Sequence, residues 1–190
     1  MTGSADSRAR LLDLLKAKSF RKGRVVLSSG KESDFYIDCR QTALSAEGHQ
    51  LVGRLFFETI MENFPDTQAV GGPTLGADPL VSAVSLTSWF EKQPLDAFIV
   101  RKEPKGHGTG AWIEGMKNLE PGTKVVILED VVTTGASTIK AIAKVQEAGL
   151  EVLGALVLVD RCEGGKEAVE DSGSRLVALY SRLDFIPPEK

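Results

Sequence analysis

The sequence predicts an α/β fold, a mostly parallel sheet flanked by helices, spread over one domain of 190 residues. Two observations predict it. Val125 to Leu128 is a β-branched, apolar run with no polar face, the pattern of a strand covered on both sides. Strand-like runs also alternate with helix-like stretches from about residue 46 onward, which is the order of βαβ units. A chain of this length with 42% hydrophobic and 26% charged residues can bury one core and is short for two.

The elements follow in order. Leu11, Leu12, Leu14 and Leu15 lie at helical spacing within Ser7 to Lys18, so the chain opens on an amphipathic helix. Leu27 to Cys39 joins a turn signal to an alternating stretch and reads as a short hairpin. Ala46 to Asn63 is a helix, ended by Pro65 and Asp66 before a strand over Gln68 to Gly71. The glycine-rich GGPTLGADP opens a helix from about Pro79 to Lys92, and Leu95 to Val100 is the next strand. Arg101 to Gly115, glycine-rich, charged and aperiodic, reads as a long mobile loop. Then come a strand over Lys124 to Asp130, a helix over Thr138 to Ala148 and a strand over Glu151 to Asp160. A short helix at Gly164 to Asp171 and a last strand at Leu176 to Tyr180 complete the order. Residues before about 45 stand outside the alternation and are expected to cap the sheet's active edge.

The formal charge of -3 argues against a general nucleic-acid or anionic-membrane binder. No window approaches a membrane span and the N-terminus has no leader pattern, so a cytoplasmic location is expected. Cys39 and Cys162 belong to no metal-binding cluster and are expected to be reduced thiols.

The most informative segment is KVVILEDVVTTGAST, Lys124 to Thr138. Its strand ends in two carboxylates, Glu129 and Asp130, at the edge where open α/β sheets bind ligands. Thr133, Thr134, Gly135, Ala136 and Ser137 then offer backbone N–H groups and hydroxyls just before a helix, a cradle for phosphate. Carboxylates beside such a cradle repel a bare phosphate, so the ligand should also bring hydroxyls, a cation, or both. A sugar phosphate with magnesium meets that requirement. The plainer alternative is a buried strand and a capped helix whose Asp130 and Thr134 serve local hydrogen bonds.

This segment resembles the phosphoribosyl pyrophosphate signature of the type I phosphoribosyltransferases. The resemblance implies that family's fold, with a small N-terminal hood. It implies that Glu129 and Asp130 hold the ribose hydroxyls, with Val131, Val132 and Thr133 to Ser137 completing the donor site around the 5-phosphate.

A second constellation narrows the subclass. FIVRKEPKGHG, Phe98 to Gly108, places Arg101, Lys102, Lys105 and His107 within seven residues after a strand, with glycines at 106, 108 and 110. Such a cluster suits charge stabilisation as pyrophosphate departs, and glycine hinges suit a closing loop; a solvated loop is the alternative. RKEPKGHG is similar to the catalytic loop of the orotate phosphoribosyltransferases. That resemblance implies a homodimer in which loop 101–115 reaches the neighbouring subunit's site, with Lys105, Arg101, His107 and Asp130 in the catalytic set and Lys105 leading. Trp112 to Gly115 would close the loop's far end. Lys31, Phe35 and Tyr36 would flank the base, while Arg161 and Thr133 would bond it. For Phe35 and Tyr36 core packing is the competing reading, and for Arg161 it is a local ion pair with Glu163.

The chain departs from the pattern at Ser28, and at Leu75 or Gly76, where many relatives carry lysines, and its acidic pair is Glu-Asp where some have Asp-Asp. The implied reaction is transfer of a 5-phosphoribosyl group from phosphoribosyl pyrophosphate to orotate, with magnesium held mainly by the substrate and no direct protein ligand. The alternatives are a phosphoribosyltransferase for another nucleobase, or a regulator of the same fold that senses phosphoribosyl pyrophosphate or binds RNA. A nucleotide hydrolase lacks support, since no GxxxxGK[ST] or GxGxxG is present.

Overall fold

The computed structural model describes residues 4–26, 32–104 and 112–187. Helix α1 (Ser4–Lys18) leads into a two-stranded antiparallel sheet, β1 (Phe20–Val26) with β2 (Glu32–Ile37). A short helix α2 (Arg40–Ala43) precedes α3 (Ala46–Asn63), whose Ser45 side chain caps the first turn by accepting from Gly48 N at 3.3 Å. The main body then runs β3 (Ala69–Pro73), α4 (Asp78–Phe90), β4 (Asp96–Val100), β5 (Ile113–Glu114) and β6 (Lys124–Val132). It ends with α5 (Ala136–Glu147), β7 (Glu151–Asp160), α6 (Gly165–Asp171), β8 (Leu176–Ser181) and α7 (Arg182–Phe185).

The second sheet has the order β5-β4-β3-β6-β7-β8, parallel except for the edge strand β5. The expected α/β class and mostly parallel sheet are therefore present. Because side chains alternate along a strand, β6 feeds two cores. Val126 and Leu128 join Val70, Phe56, Leu80 and Leu156 on one face; Val125 and Ile127 join Ala141, Val145 and Val157 on the other.

The N-terminal layer is fastened to the far end of the sheet. Arg8 donates to Leu179 O and lies over the Tyr180 ring, while Tyr180 Oη donates to Arg8 O at 2.7 Å. Phe20, Phe35 and Phe185 form a tilted and edge-on aromatic cluster, with ring centroids 5.2 to 5.7 Å apart.

Four boundaries differ from expectation. The hairpin begins at Phe20, seven residues earlier than read, because FRKGRVV carries charge where alternation would show and its register shifts between Lys22 and Val25. The stretch 101–115 is not wholly loop: Ile113–Glu114 pairs back onto β4. Strand β6 continues to Val132, past the acidic pair, and α5 starts at Ala136, two residues before Thr138.

Among the described residues no helix is long and apolar enough to cross a membrane. Both cysteines are free, Cys39 buried and Cys162 exposed.

Candidate active site

At the carboxyl edge of β3, β4 and β6 a cleft of about 580 Å³ opens between the N-terminal layer and α5. Its floor holds Glu129, Asp130 and Val131; Tyr36, Ile37, Asp38 and Arg40 form one wall, and Arg101 and Lys102 rise from the end of β4. The turn Pro73 to Gly76 and the α5 residues Ser137, Lys140, Ala141 and Lys144 complete it. The Thr74–Leu75 peptide is cis.

The two carboxylates enter this cleft from opposite faces of the sheet, since β6 is still regular where they occur. Glu129 shares the face of Val125 and Ile127 and is only 5% exposed. Its Oε2 accepts from Ser137 Oγ at 3.0 Å and Thr138 Oγ1 at 3.1 Å. Both hydroxyls belong to the first turn of α5, so the helix is positioned against the carboxyl it supports. Asp130 points the other way, toward Gly76, where an added Cβ would lie 2.4 Å from Oδ1. Its Oδ1 accepts from Val131 N at 2.9 Å. Across the cleft Arg40 grips Asp38 through two nitrogens, at 2.8 and 3.2 Å.

Burial dominates the electrostatics of the pair. It pushes the Glu129 carboxyl up to about 8, with the charge of Asp130 adding to the shift and the Ser137 and Thr138 hydroxyls opposing it. Burial also raises Asp130, against the Val131 N–H and the Arg40 charge. Asp38 is held below its ordinary value by its bond to Arg40, and burial opposes that shift.

A stability prediction follows from Glu129. Its folded value lies above the ordinary 4.5, so between those limits the folded chain keeps a proton that the unfolded chain has released. The stability linked to that proton is complete below the unfolded value and is lost as pH rises through about 8. Glutamine has no charge to bury, so Glu129→Gln should raise the thermal midpoint more at about pH 9 than at about pH 6. Equal shifts at the two pH values in a calorimetric comparison would overturn this.

Gly135 makes the turn possible. It precedes α5 with φ +76°, and a Cβ there would also lie 2.7 Å from Gly165 O. The first N–H groups of α5 lack intrahelical partners and carry the positive end of its dipole. They sit immediately beyond the carboxylates, next to Ser137 in the cleft.

A family model for the phosphoribosyl transferase domain matches residues 42–174, which includes the acidic pair, the turn and most of the sheet. The chain belongs to that family. Within it, an orotate phosphoribosyltransferase of Sorangium cellulosum is 54% identical over 96% of this chain and 95% of its own length. The orotate phosphoribosyltransferase of Mycobacterium tuberculosis H37Rv, solved in complex with Fe(III) dicitrate, superposes with a TM-score of 0.81. It is 40% identical and the alignment covers 95% of this chain and 99% of that one. The same enzyme in complex with 5-phospho-α-D-ribosyl 1-diphosphate gives a TM-score of 0.74 at 33% identity, covering 97% of this chain and 93% of that one.

The residues singled out from the sequence of this phosphoribosyl transferase domain do not all meet in the cleft. Glu129, Asp130, Val131, Ser137, Arg101, Lys102 and Tyr36 line it. Val132 does not: it pairs with Asp160 in the sheet and its side chain is buried in the second core. Thr133, Thr134, Gly135 and Ala136 form the turn between β6 and α5 and the first residue of that helix. Phe35 is fully buried in the aromatic cluster, where the core-packing alternative put it.

Arg161 lies beside the turn, its N donating to Val132 O at 3.0 Å, but its side chain is only 8% exposed and turns into the N-terminal layer. Its Nη2 reaches Phe35 O at 3.2 Å and Glu163 Oε1 at 2.7 Å. Lys31, Lys105 and His107 lie outside the described residues. Arg40, Thr138, Lys140 and Lys144 were not singled out from the sequence. The only sequence signal for the lysines is their i, i+3, i+7 spacing from Ser137 on α5.

Proposed function

We propose that the chain transfers the 5-phosphoribosyl group of phosphoribosyl pyrophosphate to orotate, releasing pyrophosphate and orotidine 5-monophosphate. The observation that carries this reading is the convergence of Glu129, Asp130 and the first turn of α5 on one cleft edged by Arg101 and Lys102. Kinship at 54% identity with an orotate phosphoribosyltransferase supports orotate as the acceptor.

In this reading Glu129 and Asp130 accept from the ribose hydroxyls, one from each face of β6, and so fix the sugar ring. The turn Thr133 to Ser137 holds the 5-phosphate through backbone N–H groups and hydroxyls. As the bond from ribose C1 to pyrophosphate lengthens, C1 gains oxocarbenium character and the leaving oxygens gain negative charge. Arg101 and Lys102 oppose that charge, with Lys105 and His107 joining them, and the orotate nitrogen approaches C1 from the other face. Positioning and charge stabilisation suffice, so neither cysteine is needed as a nucleophile.

Magnesium is the cofactor of this reading. Among the described residues no group of three or more His, Cys, Asp or Glu could hold a metal ion. A magnesium ion brought mainly by the substrate would lie near the Glu129 and Asp130 carboxylates, whose hard oxygens suit that cation. When bound it supplies charge neutralisation of the leaving group.

Residues 1–45 then act as a cap on a single domain of residues 1–190, with Tyr36 and Lys31 ordering the base side and Thr133 bonding the base, while Phe35 backs Tyr36 from the core and Arg161, bound to Phe35 O and Glu163, braces that wall. A cytoplasmic homodimer sharing loop 101–115 between subunits belongs to this reading, and the exposed apolar side chains of Leu44, Leu86, Trp89 and Phe90 offer surface for a second copy. No nucleic-acid or membrane partner is assigned.

The test is a magnesium-dependent assay of orotate consumption, run beside uracil, hypoxanthine and guanine. Turnover confined to orotate is expected. A folded protein that turns over another base, or none, would sink the reading.

A further inference from the structure

The exposed face of α5 holds two lysines that the donor motif does not account for. Ser137, Lys140, Ala141 and Lys144 follow i, i+3, i+4, i+7 spacing and all line the cleft. Lys140 Nζ lies 5.2 Å and Lys144 Nζ 4.9 Å from the centre of the Trp112 ring. The ring is anchored at the end of β4, because Arg101 N donates to Trp112 O at 2.8 Å and Ile113 pairs with Val100. One indole therefore holds two ammonium groups beside Arg101 and Lys102.

The cations of the cleft are not equally available. Arg40 is bound to Asp38 at 2.8 Å, Arg101 to Glu114 at 3.0 Å and Lys144 to Glu147 at 2.7 Å. Among the described residues no carboxylate forms an ion pair with Lys102 or Lys140. The opposite wall, Pro73 to Gly76, carries no cation. Lys140 is thus a positive charge facing a cleft, held by a π face and repelled by the neighbouring Lys144. A charge-assisted hydrogen bond to a phosphate oxygen is stronger than a solvent-exposed cation–π contact. An anion entering beside Arg101 and Lys102 would draw the ammonium off the ring.

We propose that Lys140 is a diphosphate-binding residue, an ammonium parked over Trp112 that moves onto the oxygens of a diphosphate group in the cleft. The assignment to the diphosphate, rather than the 5-phosphate, rests on the proposed function. There the 5-phosphate is held by the turn and Ser137, and Lys140 lies one helical turn further, in the same cleft as Arg101 and Lys102 at the end of β4. The chain has two tryptophans, Trp89 and Trp112, so Trp89→Phe leaves Trp112 as the sole indole reporter.

In that background, titration with inorganic diphosphate should give a saturable change in Trp112 emission. Lys140→Met should weaken diphosphate binding by about tenfold and Lys140→Arg should restore most of it. Ribose 5-phosphate affinity should move by less than about twofold, as should diphosphate affinity in a Lys166→Met control on α6. The proposal is overturned if Lys140→Met binds diphosphate as the parent does, if ribose 5-phosphate affinity falls equally, or if Lys166→Met has the same effect. Because these titrations need no turnover, absence of orotate consumption with diphosphate binding intact would remove the proposed reaction and leave this site standing.

Discussion

Replacing Asp130 with asparagine is expected to lower kcat/KM for phosphoribosyl transfer by about a hundredfold, the scale of losing charge-assisted hydrogen bonds worth about 3 kcal/mol in total. The carboxyl lies at the floor of the cleft against Gly76, so an isosteric amide fits the same space. What the amide lacks is charge. In the proposed reaction an ionised Asp130 would accept from the ribose hydroxyls and help balance positive charge as it develops at C1. The same substitution should leave the thermal midpoint unchanged or raised at neutral pH, because burial already disfavours the ionised form. Steady-state kinetics beside a melting curve separates the two. Turnover within about twofold of the parent would remove Asp130 from the reaction.

The largest structural effect should come from Gly72→Ala. Gly72 lies in β3, and an added Cβ would come within 2.0 Å of Leu128 O and 2.6 Å of the Ala77 Cβ. Neither neighbour is the movable end of a side chain, so β3 and β6 must separate or the start of α4 must shift. A cost of about 3 kcal/mol or more is expected, at the upper end for overpacking. Leu128 immediately precedes Glu129, so residual folded protein should also lose donor affinity. Gly122→Ala and Gly149→Ala are the comparison, since each has positive φ but nothing within 4 Å of the new Cβ. They should cost about 1–2 kcal/mol each, for backbone strain alone. If all three variants melt together, close packing at Gly72 is not limiting.

The legible parts of this protein were those whose determinants are local. The strands over Leu95 to Val100, Lys124 to Asp130 and Glu151 to Asp160 show in sequence because each centres on an unbroken apolar run, Ala97 to Val100, Val125 to Leu128 and Val152 to Val159, the pattern of a strand inside a parallel sheet. Strand β1 was hidden because Phe20–Val26 is charged and bulged, and β5, α2 and α7 are too short to display a period. In the candidate site, the acidic pair and the turn are contiguous and were readable. Strand alternation puts Glu129 and Asp130 on opposite faces, but what each meets there is not local: the Ser137 and Thr138 hydroxyls reach Glu129 from α5, and Gly76 abuts Asp130 from the turn after β3. Likewise Arg161 is turned into the N-terminal layer by Phe35 O, a residue 126 positions away. Lys140 acquires its place only from Trp112, on another element.

The clasp of Arg8 on Leu179 and Tyr180 has a consequence for the order in which the protein is built. A chain emerging from the ribosome can pair β3, β4, β6 and β7 once residue 160 is free, which assembles the acidic pair and the turn. Helix α1 can dock on α3 before that, through Leu11 and Leu15 in the shared core and the Arg10–Glu47 ion pair, but the clasp on Leu179 and Tyr180 and the contact of Phe20 with Phe185 must wait for β8 and α7. The acidic pair and the turn can therefore assemble before the N-terminal layer is locked to the far edge of the sheet, and the lock closes only with residues 179–185 in place.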